Sequence, residues 1–153
     1  MKLLVALQHT KKRLPTEDAI FTNFVRRLNE FADVSTMAIG ELKQDQAVKR
    51  AQQETESYVV LLKFEIDAFQ NGRVVLNSQN LQVNCYAYAP ATGERTVKEK
   101  TYYQAIGGMG SRTTGSPGGT PVKLTTEAAG VSAAEQLHNG IRLIPSKLFP
   151  PKP

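Results

Sequence analysis

Ile20, Phe21, Phe24, Val25, Leu28, Phe31 and Ala32 recur at helical spacing, with Arg26, Arg27 and Glu30 on the opposite side. A short, nearly continuous apolar run at residues 3–7 stands ahead of this stripe. Residues 34–39, closed by Gly40, read as a second short strand after it. The continuous apolar run at 3–7 fits a strand covered on both faces, and a helical crossover between two strands is what parallel pairing needs. The chain therefore opens as β-α-β. Pro15 and Thr16 followed by Glu17 and Asp18 mark the helix start, with Thr16 as the expected N-cap and acids where the helix dipole favours them.

The remaining elements follow the same logic. A polar helix with a thin stripe of Ala47, Val48 and Ala51 is expected from residue 43 to about 55. Residues 58–69 alternate as a long strand: Val60, Leu62, Phe64, Ile66 and Ala68 share one face. Val59 and Leu61 begin the other face, which turns polar at Lys63, Glu65 and Asp67. Asn71-Gly72 predicts a tight hairpin turn, answered by residues 74–76. In the next strand, 81–89, Leu81, Val83, Cys85, Ala87 and Ala89 oppose Gln82, Asn84, Tyr86 and Tyr88. A turn at Pro90, Ala91, Thr92 and Gly93 leads into residues 95–105, where Lys98 and Lys100 suit a sheet edge. Residues 107–121 hold six of the 11 glycines and are expected to be a mobile loop. A last helix is expected over 125–144, capped by Thr126 and lined by Ala134, Leu137, Ile141 and Ile144; Gly130 and Gly140 each weaken it by ~1 kcal/mol against alanine. Pro145 ends it, leaving an extended tail over 145–153.

The predicted fold class is α/β: a mixed sheet, β-α-β-α-β and then an antiparallel meander, with a C-terminal helix in a single-domain sandwich over 1–144. Right-handed crossovers are expected to put both early helices on one face. The last helix or a partner would then cover the other.

With 153 residues, 41% hydrophobic and 22% charged, the chain can bury a core and is neither disordered nor a membrane bundle. No run approaches the ~20 apolar residues that cross a bilayer. The start, MKLLVAL, is too short an apolar run for a secretory signal and reads as the first strand. The net charge of +5 permits attraction to anions without specifying one.

Catalytic constellations are thin. Cys85 falls on the apolar face of its strand, where a thiol is inert. His9 and His138 have no carboxylate or second histidine at metal-ligand spacing, and a lone cysteine excludes a disulfide or a zinc site built on cysteine pairs. Glu65 and Asp67 read as a solvated sheet face beside Lys63. The glycine-rich segment fails both phosphate-binding patterns, lacking the third glycine of one and the lysine of the other. Catalytic residues, a cofactor and a metal are therefore not expected, nor an enzyme. The residues left for an anion or partner contact are Lys11, Lys12 and Arg13, between first strand and first helix, and Lys98 and Lys100 at the predicted edge. Against an anion, Glu17 and Asp18 stand at the helix N-terminus beside the first group. Tyr86, Tyr88, Tyr102 and Tyr103 near Lys98 and Lys100 give only a faint pattern for nucleic acid, which is not the expected partner.

The helix leading into Ser57-Tyr58-Val59-Val60-Leu61-Leu62, the later strand ending in Ala89-Pro90-Ala91-Thr92-Gly93-Glu94, and the late helix carry a resemblance. In this layout the chain resembles the α/β domain shared by the curli-secretion lipoprotein, the lipoprotein activator of penicillin-binding proteins, and the amino-terminal domain of the Tol translocation protein. The resemblance implies a bacterial cell-envelope protein, periplasmic or outer-membrane associated, that binds a protein partner without catalysis; the sequence leaves the oligomeric state open, an oligomer included. It carries over no site residue. The alternative is a cytoplasmic binding domain for an anionic ligand or nucleic acid.

Overall fold

The computed structural model describes residues 1–70, 73–74, 78–104 and 125–142. The expected Asn71-Gly72 turn, the glycine-rich segment 107–121 and the tail 145–153 lie outside the described residues. The elements run β1 (Lys2–Gln8), α1 (Pro15–Glu30), β2 (Ser35–Glu41), α2 (Gln44–Gln52), β3 (Tyr58–Ile66), β4 (Phe69–Gln70), β5 (Arg73–Val74), β6 (Leu81–Tyr88), β7 (Arg95–Tyr103) and α3 (Thr126–Arg142). The main sheet has the order β2-β1-β3-β6-β7, and β4-β5 form a separate two-stranded ribbon. β1 pairs in parallel with both β2 and β3, while β3–β6 and β6–β7 are antiparallel. This is the mixed α/β sheet with a C-terminal helix that the sequence pattern predicts, with β7 at an edge.

The alternation of the central strands places the core. Val60, Leu62 and Phe64 of β3, with Leu81, Val83, Cys85 and Ala87 of β6, face α1 and α3 together with Leu3, Val5 and Leu7. Ile20, Phe24 and Leu28 of α1 and Leu137 of α3 enter that layer fully buried. Each such side chain contributes roughly 1.5–3 kcal/mol of apolar burial. On the reverse face Leu4, Ala6, Val59, Leu61, Tyr86 and Tyr88 pack against Ala47 and Ala51 of α2.

The two early helices thus lie on opposite faces, contrary to the expectation of a shared one. The reason is the strand order. The β1→β2 crossover moves outward to one side of β1, and the β2→β3 crossover returns past it to the other side. A right-handed connection that reverses its direction of travel must switch faces. α3 joins α1 instead of covering the reverse face. Gly130 allows the close approach: a Cβ there would sit 2.6 Å from the Ile20 carbonyl oxygen and 2.9 Å from the Phe24 nitrogen.

Three local expectations are also corrected. α1 begins at Pro15, so the N-cap is Leu14 and not Thr16, because Glu17 reaches back to accept the Leu14 N–H at 3.0 Å. In α3 it is Thr125 that caps, accepting the Ala128 N–H at 3.0 Å. Gly40 does not close β2 but lies within it at φ +92°, where the register against β1 slips between Val5 and Ala6. A bulge of this kind needs a residue tolerant of positive φ.

Candidate functional site: the crevice between β1 and β2

Because α1 and α2 depart to opposite faces, the chain opens a crevice between the carboxyl ends of β1 and β2. Open α/β sheets bind ligands outside the carboxyl ends of their strands. A pocket of about 390 Å³ occupies it, lined by Leu7, Gln8, His9, Thr10, Lys11, Arg13, Glu41, Leu42, Lys43 and Gln46. Beyond the Gly40 bulge, the Leu42 N–H bonds the Leu7 carbonyl at 3.0 Å, joining the two walls.

The β1–α1 wall is organised by Glu17, which is fully buried. Its carboxylate accepts the Thr10 N–H at 3.0 Å, the Thr10 hydroxyl at 2.5 Å and the Leu14 N–H at 3.0 Å, and meets His9 Nδ1 at 2.7 Å. A buried carboxylate is tolerable only with such pairing. The loop it ties down holds Arg13 at φ +51°, a left-handed conformation uncommon for a side chain of this size. Hydrogen bonds from the Arg13 N–H to the Thr10 carbonyl at 3.1 Å and hydroxyl at 3.0 Å keep it there. Asp18, largely exposed, lies 3.4 Å from His9 Nε2.

Arg13 and Glu41 form an ion pair at 3.1 Å between the two walls. Lys11 and Lys43 also line the pocket, so among the described residues its lining sets three basic side chains, Lys11, Arg13 and Lys43, against one carboxylate. Lys43 caps α2, its N–H donating to Gln46 Oε1 at 2.9 Å. Gln8 carries a buried side-chain oxygen with no hydrogen-bond partner among the described residues.

The structure thus brings Lys11 and Arg13 to the pocket, while Lys12 is exposed and does not line it. Lys98 and Lys100 lie elsewhere, exposed on β7 opposite Tyr86 and Asn84, with β3 and β6 between them and β1. Tyr102 shares their face of β7 and is 42% exposed, whereas Tyr103 points into the α1–α3 core. Glu65 accepts a hydrogen bond from Asn84 at 2.8 Å. Cys85 is buried in the core, which pushes its thiol pKa up. His138 stacks on Phe31 with ring centroids 3.8 Å apart and meets Asp33 Oδ1 at 2.9 Å; its hydrogen bond holds the Asp33 carboxyl below its ordinary value.

Both histidines therefore have carboxylate partners that spacing did not reveal. The His9–Glu17 contact was legible only as a glutamate three residues beyond the true N-cap, a position that reaches back over the preceding loop. Among the described residues no cluster of three His, Cys, Asp or Glu side chains is arranged to hold a metal, and no helix is long and apolar enough to cross a membrane.

Fold and site together define an α/β sandwich on a mixed sheet, with a basic crevice where its crossovers diverge. No model of a known protein family matches the chain, and no curated protein does.

Proposed function

We propose that this chain is a non-enzymatic protein-interaction module of the bacterial cell envelope that docks an extended segment of a partner protein along the outer edge of β2. The observation that carries this is the contrast between the two edges of the sheet. β7 bears exposed Arg95, Lys98 and Lys100, the charges that deter strand addition. β2 reads Ser-Thr-Met-Ala-Ile-Gly before its first charge at Glu41, and Met37 is 62% exposed there. An uncharged edge offers backbone hydrogen bonds to a partner strand and an apolar anchor for its side chains. The envelope assignment rests on the resemblance to the curli-secretion and Tol-type domains.

A photo-crosslinking side chain at position 37 in the native host tests both halves. The expected result is a discrete adduct with an envelope protein, lost on Ala38→Pro and absent when the probe sits at Lys98. An adduct only with a second copy of the chain would overturn the hetero-partner, and recovery of the chain in the cytosolic fraction would overturn the envelope location.

A further inference from the structure

We propose that the β1–β2 crevice is a binding site for a small organic oxyanion, a phosphate or carboxylate on an aliphatic or hydroxylated body. This goes beyond the edge-docking role and does not depend on it. The position comes first: the pocket lies outside the carboxyl ends of two neighbouring parallel strands whose crossovers leave to opposite faces, the end of an α/β sheet where ligands bind. Its size, about 390 Å³, suits a small metabolite and not a polymer.

The charge is next. Of the Lys11, Arg13 and Lys43 side chains, only that of Arg13 has a partner among the described residues, Glu41 at 3.1 Å. Lys11 and Lys43 approach from different walls, one on the β1–α1 loop and one at the start of α2, whose N-terminal dipole has the same sign. The acids that stood against an anion are accounted for. Glu17 is fully buried, is engaged by His9, Thr10 and Leu14, and does not line the pocket. Asp18 lies outside the lining as well, against His9.

The rest of the lining sets the ligand class. Leu7 and Leu42 supply the apolar surface, and Gln8, Thr10 and Gln46 supply polar groups for hydroxyls. The buried Gln8 side-chain oxygen, which has no partner among the described residues, is an acceptor open to a ligand hydroxyl. Among the described residues no Phe, Tyr or Trp lines the pocket, and both ring nitrogens of His9 face carboxylates, so the described lining offers no aromatic platform for a nucleobase. Glu41 competes with the ligand for Arg13.

Amide NMR titration of the full chain with glycerol phosphate, citrate and inorganic phosphate, at ~0.1 M salt to screen surface charges, tests this. Saturable shifts confined to residues 8–13 and 41–46 are expected with glycerol phosphate or citrate. Lys11→Gln and Lys43→Gln should each weaken binding several-fold, and Lys98→Gln with Lys100→Gln should leave it unchanged. Glu41→Gln, by releasing Arg13, should tighten it several-fold. All are exposed positions where substitution leaves the fold intact. Non-saturating shifts, equal shifts around Lys98 and Lys100, or weaker binding in Glu41→Gln would overturn the site. Equal affinity for inorganic phosphate would overturn the organic part of the assignment.

Discussion

Gly130→Ala and Gly140→Ala place the same methyl group in the same helix, yet they are expected to differ in sign. In an isolated helix each replacement is worth about 1 kcal/mol in favour of alanine. At Gly140 the new Cβ meets Val97 Cγ1 at 3.0 Å and Cγ2 at 3.2 Å. Those are the ends of one side chain on an edge strand, and a small shift relieves them. At Gly130 the new Cβ meets backbone: the Ile20 carbonyl oxygen at 2.6 Å, the Phe24 nitrogen at 2.9 Å, and Asn23 Cβ at 2.8 Å. No rotamer change relieves contact with a helix backbone, so α3 must lift away from α1. Lifting loosens Ile20 and Phe24, both fully buried, and overpacking of this kind costs about 1–3 kcal/mol, more where the backbone has to move. Gly140→Ala is therefore expected to lie between neutral and about 1 kcal/mol stabilising. Gly130→Ala is expected to destabilise by up to about 2 kcal/mol after the propensity gain is subtracted, and by more where the backbone has to move. Urea unfolding followed by circular dichroism measures both, and about 1 kcal/mol corresponds to a shift of roughly 2–4 °C in Tm for a chain of this size. Equal stabilisation by the two substitutions would refute the docking of α3 on α1 through Gly130.

Phe24→Ala, which empties a fully buried site between α1 and the sheet, should cost about 3–5 kcal/mol in the same assay; a loss below ~1 kcal/mol would mean the stripe of α1 faces solvent. Cys85 should react with a thiol reagent far more slowly in the folded protein than in denaturant, because burial raises its pKa and shields the sulfur. Asp33 has a folded pKa held below 3.8 by His138, so its contribution is fully present above that value and is lost as pH falls through the folded one. Wild type and Asp33→Asn should accordingly converge in stability as the pH falls from about 5 into stronger acid; a gap that widens on acidification would contradict the contact. Glu17→Ala should destabilise by ~3 kcal/mol or more, since it strands the Thr10 and Leu14 N–H groups inside the β1–α1 loop.

Periodicity made the strands and helices legible wherever one face is buried throughout. The alternation of Leu81, Val83, Cys85 and Ala87 against Gln82, Asn84, Tyr86 and Tyr88 survives in the structure as the two faces of β6, and the stripe through Ile20, Phe24 and Leu28 is the buried side of α1. What periodicity does not encode is strand order. With β2 outside β1 and β3 on its other side, the second crossover changes face, and that reversal creates the crevice. Lys11 and Arg13 were visible as a basic loop, but their partners on the opposite wall, Glu41 and Lys43, lie about thirty residues on and meet them only through the β1–β2 pairing. The role of Glu17 was hidden for a related reason: in sequence it is one of two acids in a first turn, and only the shape of the loop decides which of them turns inward.

The pairing of α1 with α3 sets a timetable for a chain made from its N-terminus. Arg27 bonds Glu135 across 108 positions, and Asp33 meets His138 across 105. Ribosomes add roughly 5–20 residues per second, so the α1 flank that receives α3 waits about 5–20 s for its cover. Over that interval the nascent chain adds β2, α2 and the remaining strands of the main sheet, with part of an apolar face still open. A domain that completes its core with its last helix is one whose truncation or premature release leaves a sticky intermediate, and whose passage through the crowded cell leans on whatever shields that face until α3 arrives.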